Sequence, residues 1–309
     1  MTEATLAADA QTTSPDDQSV GEAQSLSQEA WKELRRNPLF VISLILITIF
    51  VVMAIFPQLF TRINPNDGVL AKSLTPPSSD QWFGRDLQGY DVYARTIYGA
   101  RASILVGLFA TFFTSLLGVA IGTVAAYYGG WLDSIVMRIT DVFFAIPFLL
   151  GGILFMSTFP NTANSSYASI VGKVVLALSV LGWPGIARLM RGAVLQVKPN
   201  EYVLAAKALG ASPWRIIRSH ILPNAMAPVM VVSMINLGAY IGAEATLSFL
   251  GIGLVAPAVS WGVAISDSLP YIRQAWWFLV FPSIFLSLTV LAFIMLGDAI
   301  RDAFDPKGR

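Results

Sequence analysis

Few side chains in this chain are equipped for chemistry. There is one histidine, His220, and no cysteine, so no thiolate nucleophile, zinc-thiolate site or imidazole pair for a transition metal can be assembled. A Ser-His-Asp arrangement would have to be built around His220 alone, and no H-E-x-x-H sequence occurs. Nor is there a G-x-x-x-x-G-K-[ST] phosphate cradle: Gly172-Lys173 lacks the partner glycine and the hydroxyl. The chain is expected to be no enzyme, and to bind neither metal nor ATP by itself. What remains is Asp141 and Glu244, with Asn236 on the same apolar run as Glu244. Ionisable groups at membrane depth are expensive and face protein or water. They either line a polar path or hold the fold, Asp141 by pairing with Arg138 one turn earlier and Glu244 by stabilising the broken segment that follows. Pairing is the reading adopted for Asp141; for Glu244 both stand.

The elements that position these groups are membrane helices. Hydrophobic residues make up 55% of the 309 and charged residues 13%, against about 45–50% and about 25% in soluble domains. Uncharged runs of about 20 residues recur, the length that crosses a bilayer as helix, and they do not alternate as barrel strands would. The expected fold class is therefore an all-α integral membrane protein with about six transmembrane helices. A formal charge of +1, with no basic patch interleaved with aromatics, gives no sign of nucleic-acid binding.

Residues 1–30 hold six acids and no Lys or Arg. That composition cannot bury a core and predicts a disordered tail; lacking a positive leading region, it is expected to be retained. Residues 31–60 supply the first span, Leu39 to about Phe60, behind the basic flank Lys32, Arg35 and Arg36, which sets the N-terminus in the cytoplasm. Residues 61–100 form an extracytoplasmic segment ending in a short interfacial helix. Within 101–309 a second span runs from Ala102 to about Tyr128, where Gly118 and Gly122 permit close helix approach. A third runs from about Ser134 to Met156 with Pro147 inside. The fourth, about Ala168 to Met190, should kink at Gly182-Trp183-Pro184-Gly185. The fifth runs from Pro223 to about Phe249, and the last, from about Ala275 to Leu296, is anchored by Trp276-Trp277. The stretch from Gly251 to about Pro270 is apolar but interrupted by Gly and Pro. It reads as re-entrant, with a further full crossing as the rival. Six spans place both termini and the loop at 198–223 in the cytoplasm, together with most of the Lys and Arg.

That loop is a polar island reading as two short helices joined by a bend. Asn200 caps the first, Glu201 lies in its positive first turn and Gly210 stops it. Ser212 caps the second, with Pro213 at its first position. Ala205, Ala206 and Leu209 share a face with almost no relief, which lets another surface approach closely. His220 reads as a residue at a helix C-terminus, and Leu222-Pro223 ends the unit.

The spacing Ala205-Ala206, three residues, Gly210, nine residues, His220-Ile221-Leu222-Pro223 resembles the EAA loop of permease subunits of bacterial ATP-binding-cassette (ABC) importers. The general pattern has glutamate before the alanines and isoleucine three before the proline, where this chain has Leu204 and His220. Those departures, with Glu201-Tyr202-Val203, Gly84-Arg85-Asp86, Tyr90-Asp91-Val92, Arg95 and Gly99-Ala100-Arg101, are similar to the second (C-type) permease of the dipeptide/oligopeptide/nickel branch. The resemblance covers roughly residues 30 to 309. It implies a type I ABC importer permease whose cytoplasmic EAA coupling loop, 198–223, docks in an ATPase cleft as helix in groove through Glu201, Ala205, Ala206, Leu209, Gly210, His220, Leu222 and Pro223. It further implies a second homologous permease, two ATP-binding-cassette subunits or one fused ATPase, and an extracytoplasmic substrate-binding protein. ATP and Mg would be used by those partner subunits, in a bacterial inner (cytoplasmic) membrane. In that setting Asn236, Glu244 and Asp141 become candidates for a translocation path that meets the charged ends of a peptide. Import of nickel, glutathione or haem is the alternative within the family. An ion-gradient-driven secondary transporter using Asp141 or Glu244 is the alternative outside it, although no inverted repeat is evident.

Overall fold

A computed structural model describes residues 34–162 and 165–304. The acidic tail 1–30 and the closing residues 305–309 lie outside the described residues. The first long helix, α1 (Pro38–Ile55), opens with Asn37 accepting the Leu39 N–H at 2.9 Å and with proline at its first position. An irregular segment follows. Then α2 (Val92–Tyr128) starts at Asp91, whose carboxylate accepts the Ala94 N–H at 2.8 Å. The interfacial helix and second span expected separately are thus one continuous helix. No proline or turn sequence divides them, and Arg101 finds partners for its charge in the end carbonyls of α1: its Nε donates to Ala54 O at 2.9 Å.

The third span departs from expectation. Instead of one helix there are two, α3 (Gly130–Phe144) and α4 (Phe148–Thr158), bent by 84° at the break. Pro147 is the cause: it offers no N–H and drives the preceding residue out of helical geometry. By contrast α5 (Tyr167–Val197) runs unbroken through Pro184 and past Met190. Two short helices, α6 (Glu201–Ala208) and α7 (Pro213–Ile216), form the loop. A π-helical turn, Ile217–Ile221, is closed by the Leu222 N–H on Ile217 O and leads directly into α8 (Leu222–Phe249). Pro223 therefore does not end the unit, because at the start of α8 its missing N–H costs little. The chain finishes with α9 (Trp261–Ser268) and α10 (Trp276–Phe304), the latter running beyond Leu296. Among the described residues five helices are long and apolar enough to cross a membrane, or six if the bent α3–α4 pair counts as one span.

The 251–270 segment contains only the eight-residue α9, about 12 Å of helix, against a hydrocarbon core of about 30 Å. It does not cross. It is packed in instead: Trp261 has no exposed surface, and its Nε1 donates to Thr96 O at 2.8 Å. Around it gather Phe50, Ile97, Leu237, Ile241 and Phe293 from α1, α2, α8 and α10. Helix α2 crosses α5 at Gly118 and Gly122, where an added Cβ would collide with Ile186 and with the Ala187 backbone. The glycine pair works as close-approach positions. At one end of the bundle Leu34 and Phe40 pack on Ala299 and Ala303, bringing the described chain ends together; the 198–223 loop lies at this end. At the other, Trp277 Nε1 donates to Arg85 O at 3.2 Å and ties α10 to the 56–91 segment.

Candidate coupling loop and translocation groove

Helix α6 ends in a Schellman motif. The Gly210 N–H donates to Lys207 O and the Ala211 N–H to Ala206 O, both at 3.0 Å. Gly210 takes φ +79° with nothing within 4 Å of where a Cβ would stand, so backbone conformation, not crowding, selects glycine. At the other terminus Asn200 has the extended cap conformation but makes no side-chain cap; its amide donates to the Tyr202 hydroxyl at 3.2 Å. The expected side-chain cap is absent. Ser212 behaves as expected and accepts the Arg215 N–H at 3.4 Å.

The face expected of Ala205, Ala206 and Leu209 is divided. Ala206 packs inward beside Val203, Ile217 and Ile221, while Ala205 and Leu209 point to solvent. Leu209 is 88% exposed and Trp214 67%, with Leu204 beside them in sequence and also exposed. Glu201 lies in the first turn of α6 and is exposed, as is Pro223; Leu222 is half-buried. His220 is not at a helix end, since the π-turn carries the helix onward. Its carbonyl accepts from Asn224 Nδ2 at 2.7 Å, and its ring lies 6.4 Å from that of Tyr202.

Polar contacts tie the loop end of the bundle together. Lys198, the residue that caps α5 and opens the loop, donates through Nζ to Ala126 O at 3.2 Å and Tyr127 O at 2.7 Å. Arg191 grips both carboxylate oxygens of Asp133 at 2.6 Å. The expected Arg138–Asp141 pair is present at 3.8 Å and exposed. Asp141 has a closer partner in Arg188, which also donates to the Thr140 hydroxyl at 3.1 Å. Sequence reading missed Arg188 because it comes from α5, well away in the chain.

A groove of about 660 Å³ opens where the α3–α4 break faces α5 and α8. Asn236, Tyr240 and Thr246 line it from α8, Phe144 and Phe148 from the break, and Gly182 from α5; no lining residue is charged. Of the three candidate path residues only Asn236 lies here. Asp141 sits in the ion pairs just described. Glu244 has no exposed surface: the Ser248 hydroxyl donates to its Oε1 at 2.8 Å, and the Leu254 N–H donates to that hydroxyl at 2.9 Å. This chain of bonds fixes the start of the 251–270 segment to α8. Tyr240 and Thr246 went unnamed from sequence, although Tyr240 follows Asn236 by one helical turn and shares its face.

At the opposite end a second cavity, about 410 Å³, is bordered by Asn66, Arg95 and Asp267. Nearby Asp86 is buried; its Oδ1 accepts the Tyr90 N–H at 2.8 Å, and Arg95 Nε stands 3.7 Å from Oδ2. Burial pushes the Asp86 carboxyl above the ordinary aspartate value, outweighing the Arg95 charge and the backbone N–H groups of Tyr90 and Gln88. Burial likewise raises that of Asp267. Among the described residues no three His, Cys, Asp or Glu side chains cluster to hold a metal.

Comparison with known proteins accords with this geometry. Residues 118–309 match the family described as binding-protein-dependent transport system inner membrane component, and residues 25–77 match the N-terminal transmembrane domain of oligopeptide transport permease C. The chain is 46% identical to the dipeptide transport system permease protein DppC of Bacillus subtilis (strain 168), over 92% of this chain and 87% of that one. It is 39% identical to the oligopeptide transport system permease protein OppC of the same organism, over 94% and 95%. The glutathione transport system permease protein GsiD of Pectobacterium atrosepticum is 34% identical over 91% of each. In fold it is similar to a chain of the MetNI methionine ABC transporter, with TM-score 0.53 and 22% identity over 68% of this chain and 96% of that one. The chain belongs to the inner-membrane permease family of binding-protein-dependent ABC importers, among the C-type permeases of its dipeptide/oligopeptide branch.

Proposed function

We propose that this chain forms half of the translocation pathway of a peptide importer and receives its driving force through the 198–223 loop. The observation that carries the reading is the pairing of two features on the same helices. Helices α5 and α8 wall the uncharged groove and also hold the two ends of the loop, whose Leu209 and Trp214 stand out in solvent. Exposed apolar side chains on a rigidly capped short helix suit helix-in-groove recognition. The partner is an ATP-binding-cassette subunit, two separate or one fused, where ATP and Mg do their work. A second homologous permease completes the path and an extracytoplasmic binding protein delivers the substrate. The described chain ends and the loop share the end that carries Arg188, Arg191, Lys198, Lys207, Arg215 and Arg218, a concentration of positive charge that supports a cytoplasmic placement of that end.

A di- or oligopeptide is the proposed cargo, by analogy with the relatives named for it. A groove with polar groups but no charge contacts peptide backbone without trapping its charged termini, which favours passage over tight binding. Glutathione, itself a short peptide, is the second reading because one relative is named for it. Purification of the chain in mild detergent, identification of what accompanies it, and uptake by the reconstituted complex test all of this together. Recovery of P-loop ATPases and a second permease, with ATP-dependent uptake of dipeptides, is the expected result. Uptake of glutathione alone would change the cargo. Uptake by the isolated chain under an ion gradient, without ATP, would overturn the proposal in favour of a secondary transporter.

A further inference from the structure

Three helix ends meet beside the loop. Helix α2 finishes at Tyr128, leaving its last carbonyls without partners inside the helix and its dipole with the negative end outward. Helix α3 starts immediately after, across Gly129-Gly130, with Asp133 in its first turn where the dipole favours an anion. Helix α5 ends at Val197 with Lys198 as its cap. Its last turns supply the complementary charges: Lys198 Nζ donates to the Ala126 and Tyr127 carbonyls of α2, and Arg191 holds the Asp133 carboxylate of α3 with two parallel bonds. The Lys198 ammonium also lies 5.8 Å from the centre of the Tyr127 ring.

Lys198 differs from the other contacts in position. It is three residues before Glu201, the first residue of α6. Its charge therefore joins the loop's entry point to the end of α2, the helix that crosses α5 at Gly118 and Gly122 and passes the buried α9 through Thr96. Apolar packing already gathers Ala126 and Tyr127 of α2 in one cluster with Val203, Ile216 and Ile217 of the loop, and Lys198 adds the polar tie at the loop's entry. We infer that Lys198 is a positioning residue for energy coupling: it fixes the coupling loop to the C-terminal end of α2, so that displacement of the loop carries α2 and, through Arg191 and Asp133, α3 along with it. The role needs a cation with N–H donors aimed at two carbonyls. Arginine supplies both; methionine, similar in length, supplies neither.

This inference rests on the loop receiving the ATPase, and the test separates the two. The full complex, with its ATPases, second permease and binding protein, is reconstituted in liposomes, and peptide taken up per ATP hydrolysed is measured for the unaltered chain, Lys198→Met and Lys198→Arg. Lys198→Met is expected to keep hydrolysing ATP while uptake per ATP falls about fivefold, and Lys198→Arg to restore it to within about twofold. Normal uptake per ATP in Lys198→Met would overturn the inference while leaving the docking reading intact. Failure of the unaltered chain to retain any ATPase would overturn the docking reading itself. Should Lys198→Met not assemble, spin labels at Tyr128, at the end of α2, and at Lys207 in the otherwise unaltered complex decide the matter. A separation that stays constant through the ATP cycle supports the link, and one that changes by several ångströms between nucleotide states overturns it.

Discussion

The two ends of this bundle balance burial and charge differently. At the end carrying 56–91 and α9, stability comes from burial: Trp261 is enclosed, Phe83 stacks on Phe281 with ring centres 3.8 Å apart, and Glu244 is sealed within a hydrogen-bonded chain. At the loop end an apolar cluster that includes Val203, Ile216, Ile217 and Ile221 is supplemented by charge laid across helix termini, while Leu204, Leu209 and Trp214 remain in solvent. Burial resists displacement because parting a packed contact leaves a cavity whose cost grows with its volume. Ion pairs between half-exposed partners are weak individually, about 0–1 kcal/mol, and keep their direction as elements shift slightly. The first kind of end suits a fixed frame, and the second suits a part that is gripped and moved by another protein.

Variants at the two ends should therefore separate stability from coupling. The largest loss of stability is expected for Trp261→Ala, which removes a fully buried ring and the bond to Thr96 O. About 3–5 kcal/mol should go, read as a lower midpoint of thermal unfolding in detergent, with peptide uptake per ATP little changed in the protein that remains folded. Gly210→Pro should do the reverse. It cannot adopt φ +79° and loses the N–H that closes the Schellman motif, so uptake should fall at least about tenfold through disturbed docking while the bundle melts almost as before. Normal uptake with normal ATPase stimulation in that variant would break the comparison.

Leu209→Ser is gentler. The side chain is 88% exposed and supports nothing in the chain itself, so unfolding should be unaffected while ATPase affinity drops about tenfold; equal affinity would move the docking face elsewhere. The smallest effect belongs to Asp86→Asn at the buried end. Because the folded carboxyl titrates above its unfolded value of 3.8, its contribution to stability is fully present below that pH and is lost as pH rises through the raised value. The variant should abolish that part of the pH dependence, leaving a flatter curve of melting temperature across the acidic range. An unchanged curve would mean that Arg95 already offsets the burial.

Much of this was legible in the amino-acid sequence, and the failures have a common origin. Apolar runs located all the long helices, and Gly118 with Gly122 marked a real crossing, because both signals are local and periodic. The 84° break at Pro147 was invisible to hydropathy, which averages over the bend. The continuity of the interfacial helix with the second span was missed because Arg95 and Arg101 look too polar for one long helix until Asp86 and the α1 carbonyls are brought to them. Asp141 illustrates the same limit: its neighbour Arg138 could be named from spacing, its stronger partner Arg188 could not. In the loop, Gly210 and Ser212 announced themselves by residue type, whereas Ala206 turned inward for packing reasons that no one-dimensional pattern encodes.

The π-turn at Ile217–Ile221 sets an angular phase. In a plain α-helix each residue advances about 100° around the axis; a turn closed from residue 222 to residue 217 holds one residue more than usual. Everything before it, including Trp214, is rotated relative to everything after it, including Asn236 and Tyr240, by about that one step. The direction in which the chain meets a partner outside the bundle and the direction in which it faces its own groove are thereby geared to each other through a single turn. Removing one residue from that turn would leave every contact surface chemically intact while pointing one of them the wrong way.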